Sequence, residues 1–321
     1  MKQLPDLRRW HGRIDVEEGP TGERWHQHMQ CVGADTDPAI VLLGFACDAG
    51  IQRNHGRTGA YNGPAAIRAV LGNIPLRGSN RVADGGDVCC TWKANDDGLE
   101  IAQKELAVAV AALLDKQHRP IVLGGGHEMS VGSFGGLAQH LSTGSSAPRI
   151  GILNLDTHFN LRMTERATSG TPFRQIADDC KERGWDFNYC CLGISRFANT
   201  PSLFDRAETL GVRWRLDEQM TALDAGAIRD MLDEFLAGVD HLYFSIGLDV
   251  MPADTAPGVS APAVRGISLD MVEMIADVAA ASGKLRVADI AELSPENDID
   301  HRTARLAARL VARLAYDWRA A

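Results

Sequence analysis

Short, almost wholly apolar runs alternate along this chain with longer stretches whose apolar residues recur every three or four positions. The runs are "IVLLGF" (40–45), "RPIVLGGGHE" (119–128), "RIGILNLD" (149–156), "FNYCCLGI" (187–194), "GVRWRLD" (211–217), "HLYFSIGLD" (241–249) and "KLRVADIAEL" (284–293). A strand that is apolar on both sides of its pleat belongs in a parallel sheet covered on both faces. Helical spacing predicts helices over 63–74, where a proline stands in the first turn, and over 99–117, 128–141, 222–239, 268–282 and 301–319. Strand and helix alternate, so the pattern predicts an α/β fold with a parallel sheet between helical layers. No break in composition divides the chain. The expected organisation is an irregular extension over residues 1–35 and one domain over 36–321. The amphipathic "RTARLAARLVARLAYDW" near the C-terminus reads as a helix facing the core.

Parallel sheets bind ligands outside the carboxyl ends of their strands. Polar residues directly after an apolar run therefore carry more weight than polar residues elsewhere. Four places qualify. In "LGGGHEMS" (123–130), glycines let the backbone turn tightly before His127; neither a Walker pattern nor G-x-G-x-x-G is present. In "NLDTHFNLR" (154–162), Asp156, His158 and Asn160 alternate, which in extended chain points them to one face. Carboxylate and imidazole together suit Mn, Fe, Ni or Zn better than Ca or Mg. In "FSIGLDVMPADTAPG" (244–258), Asp249 ends a strand, and Gly247 stands where a second carboxylate would share its face. Glu292 ends the run that begins at Lys284.

Bulk properties narrow the class. The chain has 321 residues, is 45 % hydrophobic and 23 % charged, and carries a net charge of −9 with no long basic run, which argues against a nucleic-acid partner. The seven cysteines include no C-x-x-C and read as free thiols of a reducing compartment. The N-terminus lacks the apolar core of a signal peptide, and no apolar run approaches the ~20 residues of a membrane span. The expectation is a cytoplasmic protein with no membrane partner and a small-molecule substrate.

In order along the chain, "LGFACDAG", "RTGAYNGPAAIR", "LGGGHE", "NLDTHFNLR", "SIGLDV…APG" and "AELSP" resemble the arginase/agmatinase/formimidoylglutamase family, the ureohydrolases, from about residue 40 to the C-terminus. The resemblance implies a three-layer α/β/α fold with a parallel sheet of about eight strands, and a pair of Mn2+ ions at the strands' carboxyl ends. "GFACDAGIQRNHGR", "RATSGTPFRQ", "GISRFANT" and "GVSAPA" are similar to the formimidoylglutamase branch. The loop Ser169-Gly170-Thr171-Pro172-Phe173 lacks the histidine that arginases carry after its Ser-Gly. The implied reaction is hydrolysis of N-formimidoyl-L-glutamate to L-glutamate and formamide, a step of histidine degradation. A homo-oligomer is also implied.

Carried over position by position, the resemblance places His127, Asp156, His158, Asn160 and Asp249 at metal-ligand positions. Asn160 and Gly247 both stand where the family has a carboxylate, so the chain offers two acidic ligands, Asp156 and Asp249, where the family has four. Positive charge without compensating carboxylates is costly in a partly desolvated site, so weak binding of at least one ion is expected. Asp249, Glu292 and His158 are the expected catalytic groups, with Glu292 pairing with the cationic formimidoyl nitrogen. Arg57, Arg174, Arg196 and Asn199 are the candidates for the substrate's carboxylates. Two alternatives stay open: a catalytically silent relative with a binding or regulatory role, and a hydrolase of another guanidino or amidino acid.

Overall fold

Along the strands, side chains alternate between two apolar environments. Ile40 and Leu42 join one buried cluster while Val41, Leu43 and Phe45 join another, and the same division separates Ile121 and Leu123 from Val122. That is the signature of a sheet covered on both faces. The computed structural model describes residues 2–92, 96–142, 144 and 147–319. Ten strands form one sheet: β1 (Lys2–Gln3), β2 (Gln30–Cys31), β3 (Ile40–Ala46), β4 (Val82–Cys89), β5 (Arg119–Leu123), β6 (Ile150–Leu155), β7 (Asn188–Ile194), β8 (Arg213–Leu216), β9 (His241–Gly247) and β10 (Leu285–Ala291). Their order is β1-β4-β3-β5-β10-β9-β6-β7-β8, with β2 also on β4. From β3 to β10 every pairing is parallel. This is the expected eight-stranded sheet, to which the N-terminal segment adds two two-residue strands.

The helices Gly63–Leu71, Ala225–Ala237, Leu269–Ala281 and Arg302–Asp317 pack on one face, and Leu99–Asp115, Ser130–Leu141, Pro172–Arg183 and Pro201–Thr209 on the other. The result is the predicted three-layer α/β/α arrangement, and the C-terminal helix faces the core as its pattern suggested.

Three expectations need correction. The N-terminal residues are not merely an irregular extension: Trp10 and Trp25 are buried in the core, and β1 and β2 extend the sheet at β4. Cys47 and Cys90 form a disulfide with Cα atoms 5.1 Å apart, so not all the cysteines are free. Strand β4 has no counterpart among the predicted runs. Asp84 and Asp87 break its apolar pattern, and both are buried because Arg68, itself 1 % exposed, donates to them at 3.0 and 2.6 Å. A buried charge is tolerated when it is paired in this way.

Candidate active site

Four strands that lie side by side, β5, β10, β9 and β6, deliver the residues singled out by the sequence. His127 follows β5 through three glycines. A Cβ on Gly124 would lie 2.1 Å from the Ile290 carbonyl, and one on Gly125 would lie 2.1 Å from the Cys47 carbonyl. The glycine run is therefore a close-packing requirement rather than an anion cradle. It brings the His127 backbone N–H to the Glu292 carboxylate, to which it donates at 2.8 Å. Glu292 follows β10 in a left-handed conformation, φ 74, which costs of order 1–3 kcal/mol for a residue other than glycine.

Strand β6 ends at Leu155, and Asp156 to Asn160 form a loop rather than extended chain. Asn160 itself is left-handed, φ 53. The three side chains converge because the loop curls. Asp156 Oδ1 accepts from the His158 backbone N–H at 2.7 Å, and His158 Nδ1 lies 3.2 Å from Asp156 Oδ1 and 3.4 Å from Asp249 Oδ2. Asp156, His158 and Asp249 each offer a donor atom, all within 4.8 Å of one another. Asp249 Oδ1 is buried with no hydrogen-bond partner among the described residues.

The electrostatics follow from this crowding. Burial opposes a charge on His127 and His158, but the adjoining carboxylates override it. Asp156 holds His127 near pKa 9, and Asp156 with Asp249 holds His158 near 10. Burial would raise Asp156, yet its two histidines drive it well below the usual range. Burial and the neighbouring Asp156 charge raise Asp249. Glu292 is pushed up to about 8, first by burial and then by Asp249 and Glu128.

This donor set fits one divalent cation: two carboxylates and an imidazole converge, and a buried carboxylate oxygen lacks a partner. It does not fit the second ion implied for the family. Asn160 turns its amide N–H toward Asp156 Oδ2 at 2.6 Å, and Gly247 contributes no side chain.

A cavity of about 340 Å³ opens over these residues. Its wall includes His127, Asp156, His158, Asn160, Asp249 and Glu292, together with Arg57 and Arg162. A larger cleft of about 550 Å³ adjoins it, sharing His158 and Ala261. The four proposed substrate-binding side chains fare differently. Arg57 reaches the cavity, but it donates to the carbonyls of Ser260 and Val259 and so ties two loops of the wall together. Arg174 lies outside it, paired with Asp178 one helical turn on. Arg196 pairs with Glu218, which lines the neighbouring cleft. Asn199 is buried outside the cavity lining, donating to the carbonyls of Thr157 and Ser195 and accepting from the Phe159 N–H, and so braces the loop. Sequence reasoning missed Arg162. It lines the cavity, and its guanidinium has no hydrogen bond or ion pair among the described residues.

Residues 38–316 match the model of the arginase family, and the chain belongs to that family of hydrolases. Among its most similar curated relatives are two formimidoylglutamases. That of Ralstonia nicotianae is 57 % identical over 95 % of this chain and 94 % of its own length, and that of Aromatoleum aromaticum is 52 % identical over 98 % and 93 %. Among solved structures, the formiminoglutamase of Trypanosoma cruzi with Mn2+ superposes with a TM-score of 0.77 at 24 % identity, covering 89 % of this chain and 95 % of that one. The formimidoylglutamase of Bacillus subtilis gives the same score at 21 % identity over 90 % of each chain. At such identities the superpositions establish the fold.

Proposed function

We propose that the chain is a formimidoylglutamase that adds water to N-formimidoyl-L-glutamate and releases L-glutamate and formamide. One observation carries the reading. A single cavity holds a cation-binding set, the buried Glu292 and Arg162, whose guanidinium is unengaged among the described residues, and the substrate has an amidine at one end and carboxylates at the other. The names of the relatives above support it.

Bound at Asp156, His158 and Asp249, a divalent cation, Mn2+ by analogy with the T. cruzi structure, supplies Lewis acidity that makes water nucleophilic near neutral pH. The chain's own residues do the rest. Glu292 Oε1 already accepts the His127 N–H, and its carboxylate pairs with the formimidoyl N–H groups by charge-assisted hydrogen bonds. Asp249, whose Oδ1 has no hydrogen-bond partner among the described residues, takes up the proton lost by the attacking water and returns one to the departing amine. His158 Nδ1 lies 3.2 and 3.4 Å from the two carboxylates and would complete the cation's donor set as a neutral imidazole. Arg162 offers a planar fork to a substrate carboxylate. The partner is thus a small molecule. A homo-oligomer in the cytoplasm remains the expectation, and sedimentation of the purified protein tests the assembly.

The test is formamide release from N-formimidoyl-L-glutamate in Mn2+-containing buffer, with L-arginine and agmatine as controls. Release from the formimidoyl compound alone is expected. Urea from a guanidino compound would move the reading to another amidino acid. A second reading, a silent binding protein, is favoured by Asn160 and Gly247; binding of the substrate with no formamide would establish it.

A further inference from the structure

We propose that this chain holds one divalent cation, at Asp156, His158 and Asp249, and that the Asn160 side-chain amide fills the place between Asp156 and His127 where a second ion would sit. The proposal depends on the reading above only for the choice of Mn2+ as the probe.

The atoms that would face a second ion close on one another instead. Asn160 Nδ2 lies 2.6 Å from Asp156 Oδ2 and 3.3 Å from His127 Nδ1. His127 Nδ1 is itself 2.8 Å from Asp156 Oδ2, and its Nε2 is 2.9 Å from Ser245 Oγ. A carboxylate only accepts hydrogen bonds, so the amide must present its NH2 group there. Reversed, it would set two oxygens against each other at the same 2.6 Å separation. An NH2 group gives Asp156 Oδ2 a positive partner without adding a full charge. An aspartate at the same position would do the opposite.

Gly247 is consistent with this. Its backbone, φ −74 and ψ 117, is open to any residue, so the conformation does not call for glycine. Space and charge are what an added side chain would meet. A Cβ would lie 2.8 Å from Asp249 Oδ1, 3.2 Å from Asp156 Oδ2 and 3.2 Å from His127 Cε1. A carboxylate there would stand among two others, an arrangement stable only with more positive charge between them. As the chain stands, Asp156 and Asp249 balance one divalent ion. Two ions would leave excess positive charge in a buried site. The three donors of the first set stand on the segments that follow β6 and β9, and none of them is His127 or position 247.

Elemental analysis of the full-length protein, equilibrated with Mn2+ and desalted, reads the stoichiometry directly, and electron paramagnetic resonance reads whether the ions are neighbours. One Mn2+ per chain is expected, with the spectrum of an isolated ion. Two per chain, an exchange-coupled spectrum, or no bound ion would each overturn the proposal. His158→Ala should abolish binding while His127→Ala leaves it at one ion; the reverse pattern would overturn the assignment. Asn160→Asp combined with Gly247→Asp should raise the content to two coupled ions, and a double variant still at one ion would overturn the role given to these two positions. All these readouts are taken without substrate. Absence of formamide release therefore leaves them untouched, and two ions in an active enzyme would sink this proposal alone.

Discussion

Arg162 stands at the cavity wall with its guanidinium uncommitted among the described residues, and its partner should come with the substrate. Arg162→Ala is expected to raise KM for N-formimidoyl-L-glutamate about 10- to 100-fold with kcat little changed, the pattern of a contact made equally in ground and transition states. Steady-state kinetics check it; an unchanged KM would remove Arg162 from the binding site. Glu128 poses a different question. It is fully buried, accepts from the Gly50 N–H at 2.8 Å and leaves Oε2 without a partner among the described residues. Burial lifts its pKa from 4.5 to about 7. A carboxyl raised on folding binds its proton more tightly in the native state, so its contribution is most favourable below pH 4.5 and is lost as pH rises toward 7. The stability of Glu128→Gln relative to the parent should therefore climb by roughly 3 kcal/mol across that window and then level off. Urea titrations at several pH values measure this, and a flat difference would mean that Glu128 is not perturbed. At this scale position was legible where a chemical type followed an apolar run: His127, Asp156, Asp249 and Glu292 do meet at one cavity. It was not readable for Arg162 or Asn199. Nothing in a residue's type reveals whether its donors are already taken by backbone carbonyls.

Strands and helices were legible wherever burial alone decides, because a doubly covered strand has no choice but to be apolar. Strand β4 escaped because its two aspartates are paired with Arg68 from the helix Gly63–Leu71, Asp87 also with Arg9, and Asp84 Oδ2 accepts from Trp10 Nε1 at 2.7 Å. Those partners are distant in sequence, and no local pattern announces them. Removing the Arg68 cation leaves Asp84 buried with only the neutral donors Trp10 Nε1 and the Gly86 N–H, and leaves Asp87 with Arg9 as its cation. Arg68→Met should thus cost about 3–5 kcal/mol, read from the urea midpoint, although methionine fills much of the volume. A loss below about 1 kcal/mol would mean that water reaches the pair. The helix Pro172–Arg183 also went unnamed, its sequence "PFRQIADDCKER" being mostly polar, yet Phe173, Ile176, Ala177 and Cys180 are buried on one side.

For the whole molecule, the match to the family begins at residue 38, but the core does not. Trp25 is fully buried in a cluster with residues of the sheet and of the C-terminal helix, and Trp10 joins it. Trp25→Ala is expected to destabilise the protein by about 3–5 kcal/mol, measured by denaturant unfolding, and a version trimmed to the matched region should melt lower still. Wild-type stability in either would mean that the first residues decorate the fold without supporting it. The chain's tertiary order was foreseeable only as a class. Which strands adjoin is set by crossover connections that leave no local trace.

That order has a consequence for how the protein comes into being. β10 is the last strand to be synthesised, yet it lies between β5 and β9. A nascent chain lacking it carries two half-sheets, each with a bare central edge of the kind that invites wrong partners. Asp156, His158 and Asp249 all follow the adjacent strands β6 and β9, so a cation-binding set exists in one half-sheet alone. His127 stands on the other half, and Glu292 arrives only with β10 itself. On the function proposed above, metal capture would precede closure of the sheet, whereas recognition of an amidine would wait for the final strand to slot home.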